Sequence, residues 1–264
     1  MTFFNRRRPA FSMIEVLFVL GLIAMLLAFL FPAVQKVREA AARTQCQNNE
    51  KQQALGCHAF HDTFKRFPFN GTAGTFGDPA APGSGSWVYQ ILPFVEQQPA
   101  FQRPKDALNS SFAVFLCPAR GRIGATTEGK MHGAVSDYAI NTWLNDPKNG
   151  GVSGADRPTK ITNITDGTSN TLLIGELAMR PADFQKREAG EGRESIFFGG
   201  TLGTGRNQSK AVLDGPKSET NQFGSPFRNG TNFAFCDGSV RFIVFSFDLR
   251  PALTPDGGEV FNLD

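Results

Sequence analysis

The sequence predicts an α+β protein in which one long N-terminal helix, transmembrane in its first part, packs on an antiparallel β-sheet head. Residues 11–31 are almost wholly apolar, and a helix of that length spans about 31 Å, close to the hydrocarbon core of a bilayer. The residues after this run are good helix formers up to Gly56. From residue 68 onward, short β-prone runs alternate with Gly, Asn and Asp, which is typical of strands joined by turns.

The basic residues at the N-terminus set the expected orientation. The formal net charge is +3, and Arg6, Arg7 and Arg8 account for all of it. Arginine before an apolar run keeps that end in the cytoplasm. We therefore expect a single-pass protein of the cytoplasmic (inner) membrane, with the N-terminus inside and the head periplasmic or extracellular. Membrane lipid is a predicted partner, whereas the rest of the chain has no basic excess and predicts no nucleic-acid partner.

Glu15 is the only charged residue in the apolar run. A carboxylate at membrane depth costs roughly 2.5–3.5 kcal/mol on insertion scales, and such residues usually mark a function. A secretory signal peptide has small residues at a cleavage site after its apolar core. Here the small residue Ala10 comes before the run. An uncleaved anchor helix is the alternative, although it leaves Glu15 unexplained.

The stretch "PAFSMIEVLFVL" resembles the N-terminal segment of type IV prepilins and of the pseudopilins of type II secretion. The resemblance implies that a prepilin peptidase cleaves between Ala10 and Phe11 and N-methylates Phe11. Ala10 stands where the family usually has Gly. The amine freed on Phe11 would pair with Glu15 of a neighbouring subunit and so set the register of assembly. The implied partners are the peptidase and other pilin-like subunits, which would bind through the N-terminal helix.

The predicted organisation has four parts: a cytoplasmic leader at 1–10, a transmembrane helix at 11–34, a helix extension at 35–67 and a β-rich head at 68–264. The helix should end near residue 66, because Phe67 precedes Pro68. Five residues recur at helical spacing in the extension and would form the face that packs on the sheet: Cys46, Gln53, Cys57, Phe60 and Phe64.

Several short runs are strand candidates, namely "FAVFLCP", "SDYAINTW", "TLLIGEL" and "SIFFGG", whereas "SWVYQILPFVEQ" is read as a short helix. The clearest element is "TNFAFCDGSVRFIVFSF", in which two β-prone runs flank Asp237 and Gly238, a strong hairpin signal. The chain has 26 Phe but only 2 Tyr and 2 Trp. Because Phe buries a large area without a polar group, we expect these rings to fill the core between helix and sheet.

The region after the helix also resembles a family. "FKRFPFNG", "FLCPAR", "ITNITDGTSNTLLIGE" and "NFAFCDGSVRFI" occur in the order that is seen in a large group of bacterial prepilin-like proteins. The C-terminal domain of that group is of unknown function and ends in the motif His, nine residues, Asp-Gly. Here Phe227 occupies the His position before Asp237 and Gly238. The resemblance implies a pilin-like fold, and any role that needs the imidazole would be missing from this chain.

Four cysteines, Cys46, Cys57, Cys117 and Cys236, would face an oxidising compartment. Cys46 and Cys57 lie about 16 Å apart along one predicted helix, so they cannot bond to each other while that helix holds. Spacing alone leaves the other two pairings open. The resembling family often has Cys at positions 46 and 117, which favours Cys46–Cys117 and Cys57–Cys236. Free buried thiols are the alternative.

The predicted function is that of a structural subunit of a type IV pilus or a type II secretion system. The chain is not expected to be an enzyme, and no cofactor and no metal are predicted, because no nucleophile elbow, P-loop or dinucleotide motif is found. One alternative is an uncleaved, single-pass membrane-anchored binding module that recognises a glycan or an exported protein. A weaker alternative is a metal-dependent hydrolase that uses His58 and His61.

Overall fold

The computed structural model describes residues 12–81, 83–153 and 159–259. The chain divides into two compact units, one that ends at Ala42 and one that begins at Arg43. Helix α1 (Met13–Phe64) contributes to both units. Its residues 13–42 are called the N-terminal segment below, and its residues 43–64 the docked segment. The second unit is the head, and it contains every strand that the described residues form.

Helix α1 ends two residues before the predicted position. Lys65 adopts a left-handed conformation with φ +57°, and its N–H donates to the carbonyl of His61 at 2.7 Å. A left-handed residue directly after a helix closes the last turn in this way. The predicted packing face is confirmed for Cys46, Gln53, Cys57 and Phe60, which are buried, but it is wrong for Phe64, which is 40% exposed.

The described residues of the head form nine short strands, and five of them make up its central sheet in the order β5-β3-β4-β8-β9. The strands are β1 Ala125–Thr126, β2 Gly133–Ala134, β3 Tyr138–Asn141, β4 Leu172–Glu176, β5 Gly205–Arg206, β6 Ala211–Leu213, β7 Phe223–Ser225, β8 Gly230–Phe235 and β9 Val240–Val244. The predicted strands in "SDYAINTW" and "TLLIGEL" are therefore confirmed as β3 and β4.

The sheets are mixed rather than antiparallel, so that part of the predicted fold class is wrong. Within the central sheet, β3–β4, β4–β8 and β8–β9 pair antiparallel, whereas β3–β5 pairs parallel. The small β6–β7 sheet is parallel and the β1–β2 sheet is antiparallel. Parallel pairing requires a connection that returns the chain to the same end of the sheet. Residues 142–204 supply that connection between β3 and β5.

The hairpin predicted at Asp237 and Gly238 is confirmed. The N–H of Gly238 donates to the carbonyl of Phe235 at 2.9 Å, and Gly238 has φ +78°. The N–H of Ser239 donates to Oδ1 of Asp237 at 2.8 Å. This is a type I turn followed by a left-handed glycine, a common connection between two antiparallel strands. It joins β8 to β9.

The short helical segments of the head agree only in part with the predictions. "SWVYQILPFVEQ" is helical as predicted, with α2 at Trp87–Ile91 and a 3-10 turn at Leu92–Val95. Two further short helices are α3 at Gln98–Gln102 and α4 at Arg250–Leu253. The strand predicted in "FAVFLCP" is wrong, because a 3-10 turn lies at Ala113–Phe115. The strand predicted in "SIFFGG" is also wrong, since this segment forms only a single bridge between Phe76 and Phe198.

The central sheet of the head is covered on both faces. On one face, the docked segment and α2 form a buried cluster with the sheet through residues such as Phe60, Trp87 and Ala234. On the other face, Phe233 of β8 packs with Leu249 and other residues of the C-terminal region. The predicted core of Phe rings is confirmed, because the largest fully buried side chains include Phe60, Phe67, Phe69, Phe115, Phe197, Phe223, Phe233 and Phe235.

Three loops of the head cross at glycines. A side chain at Gly71, which has φ +78°, would overlap the carbonyl oxygen of Gly85 and come within 2.9 Å of the Cα of Gly199. A side chain at Gly199 would lie 2.6 Å from the same carbonyl oxygen. The backbones therefore touch with no side chain between them, as close backbone approach at glycine allows.

Candidate functional site

The N-terminal segment exposes its apolar side chains. Phe18 is 74% exposed and Leu26 63% exposed, and the most apolar window of α1 has a mean hydropathy of 2.8 with none of it buried. By length and composition, α1 is able to cross a membrane. The structure is therefore that of an α+β head on a helix that can serve as a single-pass anchor.

Glu15 has a local role at the start of α1. The N–H of Ser12 donates to Oε2 of Glu15 at 2.9 Å, which is one half of a capping box. The carboxylate is exposed. The predicted processing residues Ala10 and Phe11 lie outside the described residues. The cleavage, the methylation and the assembly role of Glu15 stay predictions.

The docked segment holds the chain before Cys117 through polar side chains. Nδ2 of Asn49 donates to the carbonyls of Ala113 and Leu116 at 3.3 and 3.0 Å. Nε2 of Gln53 donates to the carbonyl of Val114 at 2.6 Å. These bonds occupy carbonyls that a strand would offer to a neighbouring strand, which explains why residues 113–115 form a turn instead. They also place Cys117 against α1.

A compact cluster of metal-ligating side chains forms at this contact. Sγ of Cys46, Sγ of Cys117 and a carboxylate oxygen of Glu176 all lie within 4.8 Å of one another, and all three residues are buried. Cys46 is on α1, Cys117 follows the 3-10 turn, and Glu176 is the last residue of β4. Phe227 belongs to the same buried cluster as the two cysteines and is only 4% exposed.

A buried network of charges adjoins the cluster. Nε of Arg120 lies 2.8 Å from Oδ2 of Asp214, and Nη1 of Arg122 lies 2.9 Å from Oδ1 of Asp137. Arg120 also lies 3.6 Å from Asp137 and 4.0 Å from Glu176. Each arginine therefore has one close carboxylate of its own, and Glu176 is the more distant neighbour.

Glu50 lies one turn of α1 after Cys46 and is completely buried. Neither of its carboxylate oxygens has a hydrogen-bond partner among the described residues. Burial raises the pKa of Glu50 well above its usual value, and the negative charges of Glu176 and Cys117 add to that increase. The Glu50 carboxylate is thus close enough to these two residues to feel their charge.

The same surroundings also shift the pKa values of Glu176 and Cys46. Burial raises the pKa of Glu176 to about 8, although Arg120 acts in the opposite direction. The hydrogen bond to Cys117, together with burial, raises the pKa of the Cys46 thiol. Without a further cation, these shifts favour the protonated forms of Glu176 and Cys46. Chemically, the cluster can exchange these protons for a positively charged ligand.

All four cysteines are buried free thiols in the structure. Cys46 and Cys117 lie together in one cluster, and Cys57 and Cys236 lie together in the core cluster beneath α1. The grouping matches the predicted partners, and both disulfides stay predictions.

The predicted C-terminal motif lies against the docked segment at both ends. Phe227 contacts Cys46, and Nζ of Lys51 donates to the carbonyl of Gly238 at 2.6 Å. Asp237 lies 3.8 Å from Arg241. In this chain the motif residues serve to hold the β8–β9 hairpin on α1.

His58 and His61, the residues of the hydrolase alternative, both pack on Phe67. Their ring centroids lie 5.7 and 5.2 Å from that of Phe67. Burial lowers the pKa of His58. The one three-residue group of possible metal ligands in the part of the chain that the structure describes contains neither histidine.

A second candidate site is an open pocket of about 400 Å³. Its lining includes Trp143, Asn207, Gln208, Ser209, Arg250 and Glu259. Nε1 of Trp143 donates to the carbonyl of Asn207 at 2.8 Å, which fixes the indole. Oδ1 of Asn207 is buried and has no partner among the described residues. An aromatic side chain surrounded by amide, hydroxyl and charged groups suits a polar ligand with an apolar face.

The sequence did not predict the cluster or the pocket. Cys46, Cys117 and Glu176 come from three distant segments, so no ligand spacing relates them in sequence. One signal was present: Glu50 falls on the same helical face as Cys46 and Gln53, and a carboxylate on a buried face is unusual.

Comparison with known proteins identifies a family but no function. No curated protein and no solved structure matches the chain. A family model described as "Protein of unknown function (DUF1559)" matches residues 35–250, a range that includes the docked segment, both predicted cysteine pairs and the β8–β9 hairpin. The chain therefore belongs to this family of unknown function, DUF1559.

Proposed function

We propose that this protein is a membrane-anchored, pilin-like structural subunit of a type IV pilus or a type II secretion system. In this proposal a prepilin peptidase removes residues 1–10 and methylates Phe11. The mature chain then assembles with other pilin-like subunits through the N-terminal segment. The head, residues 68–264 in the predicted organisation, is displayed on the periplasmic or extracellular side.

The observation that carries the proposal is the exposed apolar run at the start of the N-terminal segment, residues 13–31, in which Glu15 is the single carboxylate. A plain anchor needs no charge at that depth, and an unpaired charge opposes insertion. In a correctly placed subunit, the terminal amine of a neighbouring subunit would neutralise Glu15. In a misplaced subunit, the amine and the carboxylate would both stay unpaired. The penalty for mispairing would select one register, as buried polar residues do in coiled coils.

The direct test of processing is the intact mass of the chain purified from its native membrane. We expect the mass of a chain that starts at Phe11 and carries one added methyl group. A chain that starts at Met1 would contradict the proposal and favour the uncleaved anchor. Ala10→Gly, which restores the residue usual in prepilins, is expected to be processed at least as fast, whereas Ala10→Arg should block cleavage.

The test of assembly uses Glu15→Gln. Glutamine retains an oxygen that accepts the N–H of Ser12, so the helix cap is kept and only the charge is lost. We expect Glu15→Gln to be processed normally but to be incorporated into fibres at least about tenfold less, a loss of roughly 1.4 kcal/mol. Glu39→Gln, on the same helix but outside the apolar run, is the matched control and should assemble normally. Equal incorporation of both variants would refute the role of Glu15.

A second candidate function is favoured by the pocket at Trp143. In that case the head recognises a glycan, because an indole packs on the apolar face of a sugar ring while amides and charged groups bind its hydroxyls. The probe is a titration of the full-length chain in detergent with a trisaccharide of N-acetylglucosamine, followed by tryptophan fluorescence. Trp87 is completely buried and serves as an internal reference.

For this function we expect a saturable fluorescence change that weakens about tenfold or more in Asn207→Ala. Gln102→Ala, an exposed amide outside the pocket, is the control and should bind like the unchanged chain. A titration without any change for this trisaccharide and for maltotriose would count against glycan recognition, while the assembly proposal would be unaffected.

A further inference from the structure

The cluster of Cys46, Cys117 and Glu176 has the dimensions of a metal site. Its three potential ligand atoms lie within 4.8 Å of one another. Ligand atoms about 2.0–2.3 Å from a tetrahedral zinc ion lie roughly 3.3–3.8 Å apart. Side-chain rotations that draw the most widely separated atoms together by about 1 Å would therefore bring all three to bonding distance. Two sulfurs and one oxygen are a ligand set that Zn²⁺ accepts.

The charges around the cluster point to a missing cation. Four carboxylates are buried here, and two of them have a close arginine: Asp214 with Arg120 and Asp137 with Arg122. The other two, Glu50 and Glu176, have no cation of their own at short range among the described residues. Buried carboxylates normally bind a cation or stay protonated. A divalent cation would give Glu176 a positive partner in direct contact, in addition to Arg120 at 4.0 Å.

We propose that Cys46, Cys117 and Glu176 bind one thiophilic divalent cation, of which Zn²⁺ is the representative, with the Glu50 carboxylate as a nearby charge outside the ligand set. On binding, the two thiols and the protonated carboxyl of Glu176 lose their protons to solvent, and each of the three ligand atoms forms one bond to the ion, with no change of oxidation state. The ion would join α1, the Cys117 turn and β4. The inference does not depend on fibre assembly.

The ion and the predicted Cys46–Cys117 disulfide exclude each other, because both use the same sulfurs. A disulfide would satisfy the sulfurs but leave Glu50 and Glu176 buried without a cation. The ion would bond to both sulfurs and to the Glu176 carboxylate at once. This difference favours the metal site, and it is also what the experiment must distinguish.

Phe227 offers a test that adds a ligand rather than removing one. Its side chain lies in the same buried cluster as the two cysteines, so Phe227→His would bring a ring nitrogen into that cluster. Imidazole nitrogen is a preferred ligand of Zn²⁺. We expect this variant to bind zinc at least tenfold more tightly, although it replaces a buried apolar side chain.

The experiment uses the full-length chain in detergent, reduced and stripped of metal, then dialysed against ZnCl₂ and analysed for zinc by elemental mass spectrometry. We expect about one zinc per chain, and thiolate-to-metal absorption when Co²⁺ replaces Zn²⁺. Cys46→Ser and Cys117→Ser should lose the ion. Glu50→Gln and Glu176→Gln, which keep the side-chain shape, should bind about 10–100-fold more weakly. Cys57→Ser removes an equally buried thiol outside the cluster and should bind normally.

Two outcomes would overturn the proposal. The first is a zinc content that is the same in Cys46→Ser, Cys117→Ser and the unchanged chain, provided that circular dichroism shows all three folded. The second is a Cys46–Cys117 disulfide in protein taken from its native membrane after thiols have been blocked. If the cysteine variants do not fold, the zinc affinities of Glu50→Gln and Phe227→His test the proposal instead. A zinc affinity that is unchanged in both variants would also reject the site.

Discussion

The two parts of α1 contrast in what they bury. The N-terminal segment exposes large apolar side chains, whereas the docked segment buries polar ones, including Asn49, Glu50 and Gln53. Both parts belong to one continuous α-helix, so their backbone conformation is the same. The surroundings therefore decide which side chains a helix can bury. An apolar exterior suits lipid, and a polar interior is stable where each group finds a partner.

The docked segment shows how a polar interface is satisfied. The amides of Asn49 and Gln53 bind backbone carbonyls of the head, so they replace hydrogen bonds that a sheet neighbour would otherwise make. Glu50 is the exception, and its unpaired carboxylate is what distinguishes the cluster from an ordinary polar contact. Three experiments test this contrast, in order of expected effect.

The largest effect is expected from charge in the N-terminal segment. Leu20→Arg combined with Leu26→Arg should cost about 5–7 kcal/mol of insertion free energy, because each central arginine costs about 2.5–3.5 kcal/mol. We expect most of the chain to leave the membrane fraction after alkaline extraction. Leu55→Arg is the matched control, since Leu55 is 54% exposed but belongs to the docked segment, and it should stay in the membrane. If both variants stayed in the membrane fraction to the same extent, the proposed difference between the N-terminal segment and the docked segment would be refuted.

A smaller effect is expected from the apolar side of the docked segment. Phe60 is almost completely buried and its ring packs edge-on against Phe94 with centroids 6.1 Å apart. Phe60→Ala should lower the free energy of unfolding of the head by about 3–5 kcal/mol. Phe64→Ala, one turn later and far more exposed, should cost no more than about 1 kcal/mol. Urea unfolding in detergent measures both, and similar losses would show that the exposed ring also supports the core.

The smallest effect concerns pH. The pKa of Glu176 is raised to about 8 in the folded chain from a usual value of 4.5, so the folded chain holds a proton that the unfolded chain releases between these values. With metal chelated, the free energy of unfolding should therefore fall as pH rises from 5 to 8. Glu176→Gln should reduce this slope. An unchanged slope would mean that Glu176 is already ionised. The charged and titratable groups that face it are Cys46, Glu50, Cys117, Arg120, Asp137, Tyr138 and Asp214.

The elements that were predicted correctly from the sequence are those specified by residues close together along the chain. The apolar segment, α2 and the Asp237-Gly238 hairpin depend on composition or on turn residues a few positions apart. The strand expected in "FAVFLCP" failed because Asn49 and Gln53, far away in sequence, take its carbonyls. The parallel β3–β5 pair and the cluster of Cys46, Cys117 and Glu176 likewise require long-range contacts that no local pattern encodes.

The glycine crossing of Gly71, Gly85 and Gly199 has a consequence for how the head reaches its native state. Gly199 lies 114 positions after Gly85, and closing a loop of that length costs conformational entropy before any contact repays it. The crossing should therefore form late, after the hairpin and α2, and set the folding rate. We expect Gly199→Ala to slow refolding as well as to destabilise the head. During folding, the stretch from Gly71 to Gly199 would be the part that proteases reach for the longest time.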